Sequence, residues 1–197
     1  MNLRLTIIAL GLPLSFGFVG ADAQADADPT VATEQRPETG SSIAWGHAET
    51  IVDAPISEVL PSVVEYADYV EFMPNFARSK VLAQRGSRAR VYVEVKVAKG
   101  VITLWGQLDM VEREDVDGAR IIKATLVQGN VNAFSAEWKV TPVDGDTRTH
   151  VEFNLYVDPD IALPAAVFSR ENERAAGRAL RALQERVGGP SPDPTEA

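Results

Sequence analysis

The chain has 197 residues, of which 45% are hydrophobic, and it carries a formal net charge of −9. This length supports one globular domain with a real core, and the acidic balance excludes nucleic acid as the main partner because phosphate binding needs a basic surface. The absence of cysteine excludes disulfides, any disulfide-linked partner and a thiol nucleophile. With two histidines in the chain, we expect no metal site, and we expect no cofactor.

The N-terminal residues 1–23 are predicted to be a signal peptide. Arg4 supplies a positive start, residues 5–20 are apolar, and Ala21–Ala23 fits a small-x-small cleavage pattern. The apolar run is shorter than the ~20 residues of a membrane-spanning helix, which favours cleavage near Ala23 over an uncleaved anchor. We therefore expect a periplasmic or secreted protein.

Residues 24–42 are polar, contain two prolines and lack apolar periodicity, so they predict a disordered linker. Residues 188–197 predict a similar disordered tail. The folded domain is therefore expected to span residues 43–187.

The first predicted elements are a strand at 43–53, a helix at 56–66 and a second short helix or ordered loop at 66–76. Glycine-containing turn signals then recur at near-regular intervals and delimit further strands. Apolar residues alternate with polar ones along residues 91–97, 134–140 and 151–157, which predicts antiparallel strands with one wet face. The register is less clear around Trp105, so we expect a bulge near Gly106.

The last predicted element is a helix over residues 160–187, closed by Gly188 and Gly189. Apolar and small residues recur on one face at helical spacing: Ala165, Phe168, Asn172, Ala176, Leu180, Leu183 and Val187. The fold class is therefore α+β, with a curved seven-stranded antiparallel sheet wrapped around a long C-terminal helix and two short helices after the first strand.

Four segments occur in a characteristic order: 52–59 (VDAPISEV), 66–74 with its spaced aromatics, 129–138, and 159–164 with its two prolines. In this the chain resembles the START-like (SRPBCC) superfamily of helix-grip proteins, in particular the polyketide cyclase / coenzyme Q-binding START-like family. The resemblance implies a hydrophobic small molecule, such as a lipid, a quinone or a polyketide-like compound, held between the sheet and the last helix.

No catalytic motif is found, and we assign no catalytic residue. His150 falls on the polar face of its strand beside Glu152, which is typical of a solvent-facing histidine, and the facing of His47 is ambiguous. The acidic run from Asp109 to Asp115 lies at a strand end, where carboxylates are usually solvated.

The predicted ligand-binding residues come from inward strand positions, from a lid-like aromatic segment and from the first half of the last helix: Phe72, Met73, Phe76, Val93, Val95, Leu104, Phe134, Trp138, Phe153, Leu155, Phe168 and Asn172. Asn172 is predicted to be a polar group of the pocket. The competing interpretation is that the small residues of the helix simply let helix and sheet approach closely.

The sequence predicts a non-enzymatic carrier or binding protein. The alternatives are a cyclase- or hydrolase-type enzyme using the same cavity, for which an inward-facing His47 would speak, and a protein-interaction module. The arginines of the last helix suggest either a transient contact with a membrane surface or a solvated face of ion pairs.

Overall fold

The computed structural model describes residues 31–115 and 117–188, so the predicted signal peptide at 1–23 and nearly all of the predicted tail lie outside the described residues. In the described part the chain forms three α-helices, α1 (Ile56–Val64), α2 (Tyr69–Phe72) and α3 (Ala165–Gly188). It also forms eight strands: β1 (Ala32–Arg36), β2 (Trp45–Val52), β3 (Phe76–Arg85), β4 (Arg88–Val97), β5 (Ile102–Glu114), β6 (Arg120–Gly129), β7 (Val131–Val143) and β8 (Arg148–Pro159).

All eight strands belong to one antiparallel sheet with the order β1-β2-β8-β7-β6-β5-β4-β3. The strands from β3 to β8 form a meander joined by tight turns, as the spacing of the turn signals predicts. Gly86 turns β3 into β4 with a φ of +56°, a conformation that a residue without Cβ adopts at little cost. The α+β class and the curved sheet with its C-terminal helix are confirmed.

The predicted strand count of seven is wrong, and so is the prediction of disorder for part of residues 24–42, because β1 lies in that segment. Every residue of β1 is exposed, so this edge strand carries no alternating pattern that a sequence could reveal. Backbone pairing to β2 holds it in place, and Glu173 of α3 accepts hydrogen bonds from Gln35 (2.7 Å) and Thr33 (3.2 Å).

The irregularity expected near Gly106 is confirmed between β5 and β6. Gln107 pairs with Gln128 and Leu108 with Leu126, so the extra residue of the bulge is Val127 on β6. β5 itself pairs regularly with β4, so Leu104, Leu108 and Met110 lie on one face and Trp105 lies on the other, where it contacts Tyr92.

The long helix begins directly after Pro164 and runs for 24 residues, about 36 Å at 1.5 Å per residue. Its buried face includes Asn172, Ala176, Leu180 and Leu183, which confirms the predicted stripe. α3 packs on β1, β2 and β8, one half of the sheet. No helix in the described ranges is long and apolar enough to cross a membrane.

The C-terminal end of α3 is tied to the short helices. The Arg186 guanidinium lies 3.0 Å from the Glu71 carboxylate and stacks 5.7 Å above the centre of the Phe72 ring. The helix arginines also pair within α3, where Arg178 donates to Glu171 at 2.6 Å. These contacts support the interpretation of a face of ion pairs, and the membrane contact stays a prediction.

Candidate ligand-binding site

The helix and the sheet touch backbone to backbone at Gly46 of β2. A Cβ atom on Gly46 would lie 2.1 Å from the main-chain carbonyl carbon of Asn172. The Asn172 amide group donates to the main-chain oxygens of Ala44 (3.1 Å) and Val157 (3.3 Å), and the Ser169 hydroxyl accepts from the Ala44 amide (2.9 Å). Asn172 therefore fastens the helix to the sheet, and the small residues here serve close approach.

The end of the interior near the C-terminus of α3 is filled by side chains. Trp138 and Phe153 stack with ring centres 4.0 Å apart, and both are buried. Tyr69 packs edge-on against Phe72 and Phe76 and donates to the main-chain oxygen of Val63 at 2.6 Å. Met73 is buried as well, so the segment predicted as a lid packs on the core, and Phe76, which also pairs with Val95 of β4, lies where the two ends of the interior meet.

The strand registers show which residues share the other end of the interior. Phe76 pairs with Val95, Val95 with Leu104, and Leu155 with Gly46, which contacts the first half of α3. On β7, Phe134 pairs with Val157 of β8. These positions fall into two groups, one on β3–β5 and one on β7–β8, and the second group lies beside the first half of α3.

The inward-facing apolar side chains of both groups are only partly buried, in contrast to Trp138 and Phe153. Together they present an apolar face that the rest of the fold covers only in part, which we call the cleft and define by these residues: Phe76, Val95, Leu104, Leu126, Phe134, Leu155 and Phe168. Of the other predicted residues, Val93, Trp138 and Phe153 are buried core on the same face, and Phe72 lies by Arg186.

Leu126 was missed by the sequence analysis. It lies one residue before the bulge at Val127, which shifts the alternation of β6 and hides which side Leu126 faces. Its pairing partner Leu108, which belongs to a clear apolar register on β5, is the signal that could have indicated it.

The cleft opens beside exposed apolar residues. Val101 in the β4–β5 turn is 84% exposed, and Leu163 and Val167 at the start of α3 are 52% and 45% exposed. A surface depression of about 520 Å³ adjoins this end, lined by residues 40–43, Asn132, residues 158–163, Ala165 and Phe168.

A second depression, of about 400 Å³, lies at the opposite end between Tyr66 and the β3–β4 hairpin. Burial, together with the nearby Glu112 carboxylate, raises the pKa of Tyr66 to about 12. Burial also raises the pKa of Tyr69. Both phenols are therefore neutral at physiological pH.

Alkaline conditions are expected to destabilise the protein through these phenols. In the unfolded chain tyrosine ionises near pH 10, whereas folded Tyr66 holds its proton to about pH 12. The unfolded state therefore binds fewer protons above pH 10, and the free energy of unfolding falls as the pH rises between these values. Urea unfolding at pH 8 and pH 11 should show a smaller loss in Tyr66→Phe than in the parent; equal losses would contradict this assignment.

The titratable groups considered as catalysts lie away from the cleft. Gly46 of β2 faces α3, so the odd-numbered residues of β2, which include His47, face the other way. His150 pairs with Ile51 of β2 and therefore lies on the same outer face. Within the acidic run, Asp109 accepts from Arg90 at 2.6 Å and Glu112 is paired with Arg120. The condition that would favour an enzyme, an inward-facing His47, is therefore not met.

Comparison with known proteins agrees with this architecture. Residues 52–184 match the family described as polyketide cyclase / dehydrase and lipid transport. No curated protein sequence matches the chain significantly.

Among solved structures, the STAR-related lipid transfer protein from Xanthomonas axonopodis is similar with a TM-score of 0.72 and 17% identity, over 83% of this chain and 96% of that one. Human StAR-related lipid transfer protein 5 gives 0.71 and 16%, over 82% and 83%. The Zhui aromatase/cyclase from a Streptomyces species gives 0.58 and 18%, over 73% and 93%.

These likenesses confirm the START-like helix-grip fold, and the family and fold together indicate binding or transfer of a hydrophobic small molecule. The family match covers more than half of the chain and includes both the strands that line the cleft and most of α3. The chain therefore belongs to the polyketide cyclase / dehydrase and lipid transport family.

Proposed function

We propose that this protein is an exported carrier for a lipid-like molecule, which it holds by its apolar chain in the cleft. The observation that carries the proposal is the contrast between the two ends of the interior. One end is packed solid around Trp138, while the other leaves Leu104, Phe134 and Leu155 partly exposed on the inward face. Apolar residues on a concave face beneath a helix are the usual wall of a small-molecule site.

The energetics suit a chain-like ligand. Each methylene removed from water contributes ~0.8 kcal/mol, so a dozen methylenes outweigh the cost of association and reach micromolar binding or tighter. Polar side chains that could fix a headgroup inside the cleft are few, because Ser169 and Asn172 are bonded to the main chain. The carrier would therefore select for an apolar chain more than for a particular headgroup.

The exposed rim supports delivery at a membrane surface. Val101 in the β4–β5 turn and Leu163 and Val167 at the start of α3 are exposed, so they offer apolar contacts to a bilayer during exchange of the ligand. The predicted signal peptide supports a periplasmic or secreted location for this exchange.

Replacing Leu104 with aspartate should weaken ligand binding at least tenfold, which is about 1.4 kcal/mol, because a carboxylate in the cleft must be desolvated beside the bound chain. The measurement is titration with a fluorescent fatty acid and a fluorescent quinone, together with mass spectrometry of molecules extracted from the purified protein. If Leu104→Asp bound the probes as tightly as the parent does, the ligand would have to bind outside the cleft.

The matched control is Val111→Asp on the same strand. Val111 is 37% exposed and faces outward, so this variant introduces the same charge on β5 without entering the cleft. It should bind the probes as the parent does. A parent protein that yields no co-purified lipid and binds neither probe would contradict the carrier function itself.

A further inference from the structure

A cluster of metal-ligating side chains lies on the outer face of the sheet, opposite the cleft. β2 contributes His47 and Glu49, and β8 contributes His150 and Glu152, with Glu49 and Glu152 directly paired across the two strands. The antiparallel pairing of β2 with β8 thus gathers both histidines of the chain, although they lie far apart in the sequence.

His47 carries an unpartnered nitrogen that points into this cluster. The residue is 2% exposed, its Nδ1 is bonded to the Asn154 side-chain oxygen at 2.8 Å, and its Nε2 has no hydrogen-bond partner among the described residues. In the neutral ring, an Nδ1 that donates to the Asn154 side-chain oxygen leaves a lone pair on Nε2. A buried lone pair 3.9 Å from the Glu49 carboxylate is placed to share a cation with that carboxylate.

The distances suit a divalent ion. Ligand atoms of His47, Glu49 and Glu152 all lie within 4.8 Å of one another. His150 Nε2 lies 3.4 Å from Glu49 Oε2, and its Nδ1 lies 4.0 Å from Glu152 Oε1. In a tetrahedral site with bonds of about 2.1 Å, ligand atoms are about 3.4 Å apart, so side-chain rotations alone would close the set.

We propose that His47, Glu49, His150 and Glu152 form a binding site for a divalent transition-metal ion of the Zn²⁺ class. Two imidazoles with two carboxylates favour such an ion over Mg²⁺ or Ca²⁺, which take oxygen ligands. Asn154 is the outer partner that fixes the tautomer and orientation of His47, as is usual for a metal-bound histidine. The ion would bridge β2 to β8 and so hold the β1–β2 edge on the sheet.

Lys139 on β7 is the local competitor. Its ammonium lies 3.1 Å from Glu152 Oε1 and neutralises one of the two carboxylates. Removing that charge in Lys139→Gln should free Glu152 and tighten metal binding several-fold. If the cluster is only a set of ion pairs, the affinity for Zn²⁺ should not change.

The test uses the full-length protein purified without a polyhistidine tag, treated with EDTA and titrated with ZnCl₂. Because both histidines of the chain belong to the proposed site, every side-chain signal in a histidine ¹⁵N NMR spectrum comes from a proposed ligand. We expect one Zn²⁺ per chain, retained through gel filtration, with both imidazole signals shifted at one equivalent and no response to MgCl₂. Unchanged signals, or a shift of His150 alone, would overturn the proposal, since buried His47 is its central ligand.

Variants separate the site from non-specific binding. Glu49 is half-exposed, so Glu49→Gln should fold normally and weaken zinc binding by about tenfold or more. Glu94→Gln, which neutralises a paired carboxylate on the outer face of β4, is the control and should bind as the parent does. Equal affinities in Glu49→Gln and Glu94→Gln would contradict the assignment. The outcome is independent of ligand binding in the cleft, which lies on the other face.

Discussion

Replacing Gly46 with alanine is expected to destabilise the protein by about 3 kcal/mol or more, at the upper end of the overpacking range. A Cβ there would lie 2.1 Å from both the carbonyl carbon and the oxygen of Asn172 and 2.3 Å from the amide nitrogen of Glu173. All three are backbone atoms, so no rotamer change can relieve the clash. The helix must lift off β2, which breaks the bonds of Asn172 and Ser169 to Ala44.

The measurement is the free energy of unfolding from urea denaturation followed by circular dichroism. Gly188→Ala is the control, because a Cβ at Gly188 meets no atom within 4 Å and the residue ends the same helix. It should change stability by less than about 0.5 kcal/mol. A stable, folded Gly46→Ala protein with unchanged stability would show that α3 does not pack on β2 as closely as described.

The sheet and its helix could be predicted from the sequence because their signals are local. Alternation along β4, β7 and β8 and the spacing of the glycine turns report on neighbouring residues, and the stripe on α3 repeats at helical period. Those signals identify which residues face inward. They do not reveal how closely two faces approach. The pattern therefore predicts a pocket group at Asn172, whereas its side chain bonds to the main chain of Ala44 and Val157.

The features that were missed depend on pairing between distant segments. β1 is a polar edge strand that exists through its bonds to β2 and through Glu173 of α3. His47 could not be paired with Glu152 before the register of β2 against β8 was known. Neither β1 nor the proximity of His47 to Glu152 has a signal in the local sequence, so both follow only from the pairing of the strands.

β2 and β8 serve both faces of the sheet at once. On β8, Phe153 and Leu155 face the interior, while the even-numbered residues His150, Glu152 and Asn154 face outward. A period of two therefore places the edge of the cleft and the proposed metal site on the same strands without a shared side chain. A substitution in one of these sites therefore makes no direct contact with the other site, so its effect can be measured separately.

The second large effect expected is that of Trp138→Ala, which should cost about 3–5 kcal/mol of folding stability. The Trp138 ring stacks on Phe153 and is 4% exposed, so its removal leaves a cavity that the surrounding sheet cannot close. Unfolding should be followed by circular dichroism, because the loss of one of three tryptophans alters fluorescence directly.

Phe134→Ala on the same strand and the same face is the comparison that tests the two-ended interior. Phe134 is partly exposed already, so its truncation removes less buried surface and should cost clearly less stability than Trp138→Ala. Because Phe134 belongs to the cleft, the same variant should weaken binding of the fluorescent fatty acid. If the two variants lost equal stability, the interior would be packed alike along its length, and the cleft would have no room for a ligand.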